Sequence, residues 1–134
     1  RVDRRQRQMC IRDREIITQG LVDLSILNGE LNELIEKGAY RDFYMHRVGH
    51  WMGMDVHDVG SYGLNGKWRK YSPGMITTIE PGIYFKENLK NVPEEYLNIG
   101  IRIEDDVLVT EGDPEVLTSS VPKTIIEIEK VMGS

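Results

Sequence analysis

Apolar residues near the start of the chain recur at helical spacing. Four of them stand three or four positions apart, and they predict a helix that begins at Glu15 and ends at the pair Asn28-Gly29. The four positions are Ile17, Leu21, Leu24 and Leu27. A second, shorter helix is predicted over residues 30–37, and Gly38 would end it because glycine readily adopts a positive φ. Each helix would bury one face, so both are interpreted as scaffold.

Strand patterns begin after residue 70. A run of apolar and β-branched residues over 75–79 predicts a buried strand that ends at Glu80-Pro81-Gly82. Residues 83–85 are expected to continue as extended chain. Residues 86–98 are polar and predict a surface loop with one helical turn at 94–97.

Isoleucine then alternates with other residues over 99–103. A period of two places the isoleucines on one face of a strand, and it places Arg102, Glu104 and Asp106 on the other. A last helical turn is predicted from Thr124, with its apolar positions at helical spacing. Together these elements predict a single domain of the α+β class.

The composition is that of an ordinary globular domain. The 134 residues are 40% hydrophobic and 29% charged, with a net charge of −5, which argues against a disordered or collagen-like chain. No apolar run reaches the roughly 18 residues that a spanning helix needs, and the N-terminus lacks the apolar core of a signal peptide. We therefore expect no membrane partner and a cytoplasmic location. Cys10 is the only cysteine, which excludes an intramolecular disulfide and a cysteine-based zinc cluster.

Residues 1–14 differ from the rest of the chain in composition. They contain six arginines and two aspartates and have no clear apolar period. A solvated or frayed tail is the favoured interpretation, and an arm that binds nucleic acid is the weaker alternative. Because the remainder of the chain is acidic, we expect no nucleic-acid partner.

All three histidines lie between residues 46 and 57. Imidazole is the commonest metal ligand, so this clustering suggests a functional site, although a buried histidine is often only a core residue. His46 and His50 could share one helical turn, as in zinc peptidases with the motif H-E-x-x-H. Those enzymes need a glutamate directly after the first histidine, and Arg47 stands there. A site with one histidine ligand and oxygen ligands from elsewhere is the alternative.

Two carboxylates have unusual surroundings for surface acids. Glu80 ends an apolar strand and is followed by Pro81-Gly82, and Glu104 lies in an isoleucine-rich strand near Arg102. A buried carboxylate must be paired, hydrogen-bonded or bound to a metal, because burial of an isolated charge is costly. The alternative for Glu104 is an exposed strand face or an ion pair with Arg102.

Three sequence motifs favour a functional role for the histidines, Glu80 and Glu104. They read H-R-V-G-H-W-M-G-M-D-V-H-D-V-G from His46, T-T-I-E-P-G-I-Y-F from Thr77, and N-I-G-I-R-I-E-D-D-V-L-V-T from Asn98. In order and spacing they resemble the C-terminal half of the catalytic domain of Xaa-Pro aminopeptidases (aminopeptidase P). These enzymes belong to the pita-bread metallopeptidases, which also include prolidase. The resemblance implies that residues 15–134 form the C-terminal part of a pita-bread domain, an antiparallel curved sheet with covering helices, and that residues 1–14 are a non-matching tail.

The resemblance also implies roles for individual residues. His50 and Glu80 would bind one ion of a dinuclear site, typically manganese, and Glu104 would bridge both ions. Glu80 is also the candidate acceptor for the proton of the attacking water. His57 would hydrogen-bond the scissile carbonyl or the tetrahedral intermediate, and His46 would line the pocket and assist proton transfer.

Arg102 shares a strand face with Glu104, so we expect it to fix that carboxylate from outside the ligand set. Two aspartate ligands and one further histidine of the family have no counterpart in this chain. The resemblance therefore predicts that the parent protein binds two Mn²⁺ ions while this chain alone binds one or none. We also expect that the chain alone is inactive and exposes a large apolar surface, and that the parent is a homo-oligomer.

The function implied is metal-dependent hydrolysis of the N-terminal Xaa-Pro bond, with a peptide that has proline at its second position as the substrate. A prolidase-type dipeptidase is the nearest alternative. A pita-bread module that binds without catalysing is a third possibility. It is disfavoured because every ligand position that this chain covers holds the residue type the family requires.

Overall fold

The computed structural model describes residues 6–133 of the chain. Helix α1 spans Gln6–Asp23 and helix α2 spans Leu31–Lys37, with a 3₁₀ turn at Ala39–Asp42 directly after it. The second predicted helix is confirmed. It ends at Gly38, whose φ of 69° lets its backbone N–H reach the carbonyls of the last helical turn.

The prediction for α1 was wrong at both ends. The helix already begins at Gln6, so residues 6–14 are not a frayed tail; residues 1–5 lie outside the described residues. It ends at Asp23, before Asn28-Gly29, because the backbone N–H groups of Ile26 and Leu27 turn back to the Leu21 carbonyl. Leu24 then lies beyond the helix and is half exposed.

Short strands follow the helices. In chain order they are β1 Trp51–Met52, β2 Gly63–Leu64, β3 Lys67–Trp68, β4 Ile76–Ile79, β5 Gly82–Phe85, β6 Ile99–Arg102, β7 Asp105–Leu108 and β8 Glu115–Val116. Four of them form one antiparallel sheet in the order β1-β4-β7-β8. β2 and β3 form a hairpin, and β5 pairs antiparallel with β6. The predicted strands over 75–79 and 83–85 are confirmed, as is the turn near residue 94.

The isoleucine-rich strand is divided between two sheets. β6 pairs with β5 and β7 pairs with β4, so the chain changes sheets at Ile103 and Glu104. This corrects the prediction of one alternating strand with a buried isoleucine face. Ile99, Ile101 and Ile103 are 44–61% exposed. The break places Glu104 at a corner between two sheets instead of on a flat strand face.

The main core lies between the helices and the β5 side of the molecule. Its buried members are Ile17, Leu21, Ile26, Tyr40, Phe43 and Tyr44. Ile83 and Phe85 of β5 pack against this cluster, and Phe85 meets the Phe43 ring edge-on at 5.6 Å between centroids. The scaffold interpretation of the two helices agrees with this packing.

The C-terminal helix α3 spans Ile125–Met132, as predicted, and begins with a capping box between Thr124 and Glu127. Its large apolar side chains are exposed. The chain before α3 is attached to β7, because Lys123 lies 3.0 Å from the Asp105 carboxylate. Thr118 also donates a hydrogen bond to Asp105. Across residues 6–133, the helices are too short or too polar to cross a lipid bilayer.

We expect Gly49→Ala to destabilise the fold. A Cβ atom at Gly49 would lie 1.9 Å from the backbone oxygen of Thr78 on β4. The two segments would have to separate, at a cost of about 1–3 kcal/mol in the free energy of unfolding. Urea unfolding measures this cost. Gly20→Ala in α1 is the matched control, since its Cβ meets nothing within 4 Å and should stabilise the helix by about 0.5–1 kcal/mol. Equal stabilities for the two variants would contradict the close approach.

The Asp105 contacts predict a pH-dependent contribution to stability. The Thr118 hydrogen bond, followed by Lys123, holds the pKa of Asp105 below its usual value of 3.8. A carboxyl whose pKa is lower in the folded state stabilises the fold above its unfolded pKa, and this contribution is lost as the pH falls through the folded pKa. Asp105→Asn should therefore lower the urea midpoint at pH 7 and have a smaller effect at pH 3. Thr118→Val, which removes the hydrogen bond and keeps the carboxyl, should reduce this dependence on pH.

Candidate metal centre

Three of the predicted site residues meet at the ends of strands. His50 directly precedes β1, Glu80 directly follows β4, and Glu104 occupies the corner between β6 and β7. One possible ligand atom from each of them lies within 4.8 Å of the others. The structure thus brings together the three residues that were predicted as metal ligands, although they are far apart in sequence.

The hydrogen bond at Nδ1 of the His50 ring determines whether Nε2 of the neutral ring carries a proton or a lone pair. Nδ1 lies 2.9 Å from the backbone oxygen of Trp51, and a carbonyl can only accept, so Nδ1 carries the proton. In a neutral ring Nε2 then has a free lone pair, and it lies 3.2 Å from Oε1 of Glu80. Two acceptors at this distance require a cation or a proton between them. Two ligand atoms that each lie about 2.1 Å from one metal ion are about 3 Å apart, so His50 Nε2 and Glu80 Oε1 are spaced to bind a divalent metal.

Glu80 is fixed by its other contacts. The Thr78 hydroxyl donates to Oε1 at 3.0 Å, and Arg102 donates to Oε2 at 3.3 Å. The same Thr78 hydroxyl accepts the backbone N–H of His50 at 2.9 Å. Glu80 is only 8% exposed, so this guanidinium and hydroxyl offset the cost of burying its charge.

Arg102 contacts a different carboxylate from the one expected. Its guanidinium hydrogen-bonds Glu80 instead of Glu104. The reason is the strand break: Arg102 ends β6, opposite Gly82 on β5, so it lies beside the Glu80 turn. Within residues 6–133, Glu104 forms neither a hydrogen bond nor an ion pair, and its exposed carboxylate is available to a ligand.

The other two histidines have different positions. The exposed His57 lies beside the site, with its ring centroid 4.3 Å from that of His50. His46 is not in the ligand cluster: its Nδ1–H donates to the Arg47 carbonyl at 2.8 Å, and its Nε2 accepts from the Tyr84 hydroxyl at 3.0 Å. The segment around His46 is not helical, so the possibility that His46 and His50 share one helical turn was wrong.

Two residues that contact the site were not predicted from the sequence. Thr78 stands two positions before Glu80, and in a strand this spacing places both side chains on one face. That signal was available in the sequence. Tyr84 reaches His46 from β5, and no local pattern indicates this contact because the two residues are far apart in the chain.

Comparison with known proteins identifies the family. The model of metallopeptidase family M24 matches residues 14–111. The chain belongs to this family. It is 57% identical over 118 residues to an Xaa-Pro aminopeptidase of Haemophilus influenzae, and 51% identical over 117 residues to that of Escherichia coli K12. These alignments cover 88% and 87% of this chain but only 27% and 26% of the relatives.

Solved structures of aminopeptidases have the same fold. The aminopeptidase PepP of Pseudomonas aeruginosa matches 90% of this chain with a TM-score of 0.85 and 54% identity. Aminopeptidase P of E. coli, solved with the inhibitor Pro-Leu, matches the same share at a TM-score of 0.82 and 50% identity. Each match covers 27% of the solved chain. The predicted α+β, pita-bread class and the resemblance to aminopeptidase P are therefore confirmed.

We expect the three-residue cluster to bind Mn²⁺, and Glu104→Gln to weaken this binding. A carboxamide lacks the charge of the carboxylate, and loss of a residue that supports a metal typically costs about 10- to 100-fold in affinity. Isothermal titration with MnCl₂ measures the change. Glu95→Gln is the control, because Glu95 is exposed on the turn at Glu94–Tyr96, away from the cluster.

Thr78→Val tests the orientation of Glu80 in the same titration. Valine fits a strand but can neither donate to Oε1 nor accept the His50 N–H, so we expect an affinity loss of about tenfold and a loss of about 1–3 kcal/mol in the free energy of unfolding. Unchanged Mn²⁺ affinity in both this variant and Glu104→Gln would mean that the cluster is not a metal site.

Proposed function

We propose that this chain forms part of a metal-dependent Xaa-Pro aminopeptidase, which hydrolyses the peptide bond before a proline at the second position. The proposal rests on one observation: His50 Nε2 and Glu80 Oε1 face each other 3.2 Å apart, and the Glu104 carboxylate lies beside them. The identity of 57% to an Xaa-Pro aminopeptidase supports the reaction class. The chain aligns with only 27% of the length of this relative, so the proposal concerns a protein in which this segment acts with others.

The proposed metal content is two Mn²⁺ ions in such a protein, and one or none on this chain alone. His50, Glu80 and Glu104 would hold the metal. An E. coli aminopeptidase P has been solved in a zinc-substituted form, which supports a site for divalent cations. Bound divalent ions would lower the pKa of a bound water and polarise the scissile carbonyl.

Different residues of this chain would accept the proton and stabilise the developing negative charge. Glu80 has the carboxylate that would accept the proton of the attacking water, and Arg102 and Thr78 hold its two oxygens in place. His57 is exposed next to His50 and would donate a hydrogen bond to the oxygen that gains charge on the scissile carbonyl.

His46 lies outside the ligand cluster, and hydrogen bonds at both ring nitrogens fix its orientation. It would line the part of the pocket that receives the proline and the residues after it, and would assist proton transfer to the leaving amine. A cytoplasmic location and a homo-oligomeric parent stay predictions from the sequence.

The test is a chimera in which this chain replaces the matching segment of E. coli aminopeptidase P. We expect Mn²⁺-dependent release of alanine from Ala-Pro-Ala, and a fall in kcat of at least about 100-fold in the chimera with Glu80→Gln. The 134-residue chain alone should release none, because its three ligands are too few for a dinuclear centre.

The control for general damage is Glu95→Gln in the chimera, which should keep full activity. Cleavage of Ala-Pro but not of Ala-Pro-Ala would support a prolidase-type dipeptidase instead. Mn²⁺ binding without cleavage of either peptide, in a folded chimera, would contradict the proposed reaction.

A further inference from the structure

A pocket of about 370 Å³ opens beside His46. It is lined by three cationic side chains and by rings from the end of the helical region. We call it the arginine pocket and define it by Arg14, Tyr40, Arg41, Tyr44, His46 and Arg47. Of these residues, only His46 belongs to the candidate peptidase site described above.

The three guanidinium groups lack ionic partners in the described part of the chain. Arg14 lies over the Tyr40 ring at 5.9 Å, and Arg47 lies over the Tyr62 ring at 5.1 Å. An aromatic ring holds a cation in place without neutralising it. Among residues 6–133, Arg14, Arg41 and Arg47 form no ion pair with a carboxylate.

This concentration of positive charge stands out in a chain whose net charge is −5. Two acids stand next to these arginines in the chain, Asp13 before Arg14 and Asp42 after Arg41. Burial raises the pKa of the Asp13 carboxyl, even with the Tyr44 hydroxyl and Arg14 beside it. Two carboxyls do not balance three guanidinium groups, so the pocket keeps a net positive charge and attracts anions.

The position of the pocket suggests which anion it receives. His46 forms one wall and is joined through Tyr84 to β5, the strand that follows Glu80. If the scissile bond lies at the metal centre and the peptide runs along β5 toward His46, its residues after the proline reach the pocket. A planar guanidinium matches the two oxygens of a carboxylate, which a peptide presents at its C-terminus or on an acidic side chain.

We propose that the arginine pocket binds a carboxylate of the peptide on the C-terminal side of the scissile bond. This inference rests on the proposed peptidase function, because it uses the direction of a bound substrate. It extends that function by assigning a preference for short peptides with a free C-terminus, or for acidic residues soon after the proline.

The test uses product-like peptides, which need no turnover and no metal. The 134-residue chain is titrated by NMR with Pro-Ala-Ala, Pro-Ala-Ala-amide, Pro-Ala-Asp-amide and Pro-Ala-Asn-amide at low salt. We expect the peptides with a carboxylate to bind about three- to tenfold more tightly than their neutral counterparts, as for two partly exposed ion pairs. This preference should weaken in 0.5 M NaCl.

The variants assign the preference to the pocket. Arg41→Gln, alone and combined with Arg47→Gln, should remove most of it, while the backbone carbonyl of residue 47 still accepts from His46. Arg12→Gln is the matched control: it changes the charge equally on α1, but Arg12 pairs with Glu15 outside the pocket. Thermal unfolding of each variant excludes a general loss of structure.

Each outcome decides the proposal. A preference for Pro-Ala-Ala over its amide assigns the C-terminal carboxylate, and a preference for Asp over Asn assigns an acidic side chain. No preference in the unmodified chain, or an equal loss in Arg12→Gln, would overturn the inference. An inactive chimera with an intact carboxylate preference would refute the peptidase function alone, and an active chimera without the preference would refute the pocket alone.

Discussion

The candidate site depends on the pairing of the His50 segment with strand β4. The Thr78 N–H donates to the His50 carbonyl at 2.9 Å, and the Glu80 N–H donates to the Val48 carbonyl at 2.7 Å. These bonds bring the chain before β1 alongside the end of β4, and Gly49 between them allows the close approach. The imidazole and the buried carboxylate thus face each other as a result of backbone pairing, and both side chains can stay rigid before any ligand binds.

This arrangement carries an electrostatic cost that the surroundings reduce without removing. Arg102 supplies one positive charge to Glu80, but the guanidinium is about half exposed and contacts only Oε2. Oε1 keeps its lone pair directed toward His50 Nε2, where only the Thr78 hydroxyl donates to it. The remaining imbalance between the two facing acceptors favours a cation, and the free Glu104 carboxylate lies close enough to share it.

The sequence was sufficient for features that depend on local rules. A run of apolar and β-branched residues predicted β4 and the extended chain of β5, helical spacings predicted α2 and α3, and the glycine after α2 predicted its end. The three candidate ligands were predicted because their motifs resemble those of a known family. The extent of α1 was missed because its first half carries charge on most faces and offers no clear apolar period, although its second half is anchored by Ile17 and Leu21 in the core.

Contacts between distant segments were beyond what periodicity can predict. An unbroken period of two over 99–106 gave no sign that the strand changes sheets at Glu104, so Arg102 was assigned to the wrong carboxylate. The break has a functional consequence, because a ligand on a flat strand face would point along the same direction as Arg102. At the corner, Glu104 instead turns toward His50 and Glu80, while Arg102 remains behind Glu80. The change of sheet therefore separates the candidate ligand Glu104 from Arg102, which positions Glu80. It allows two charged residues two positions apart in the chain to act on the site from different sides.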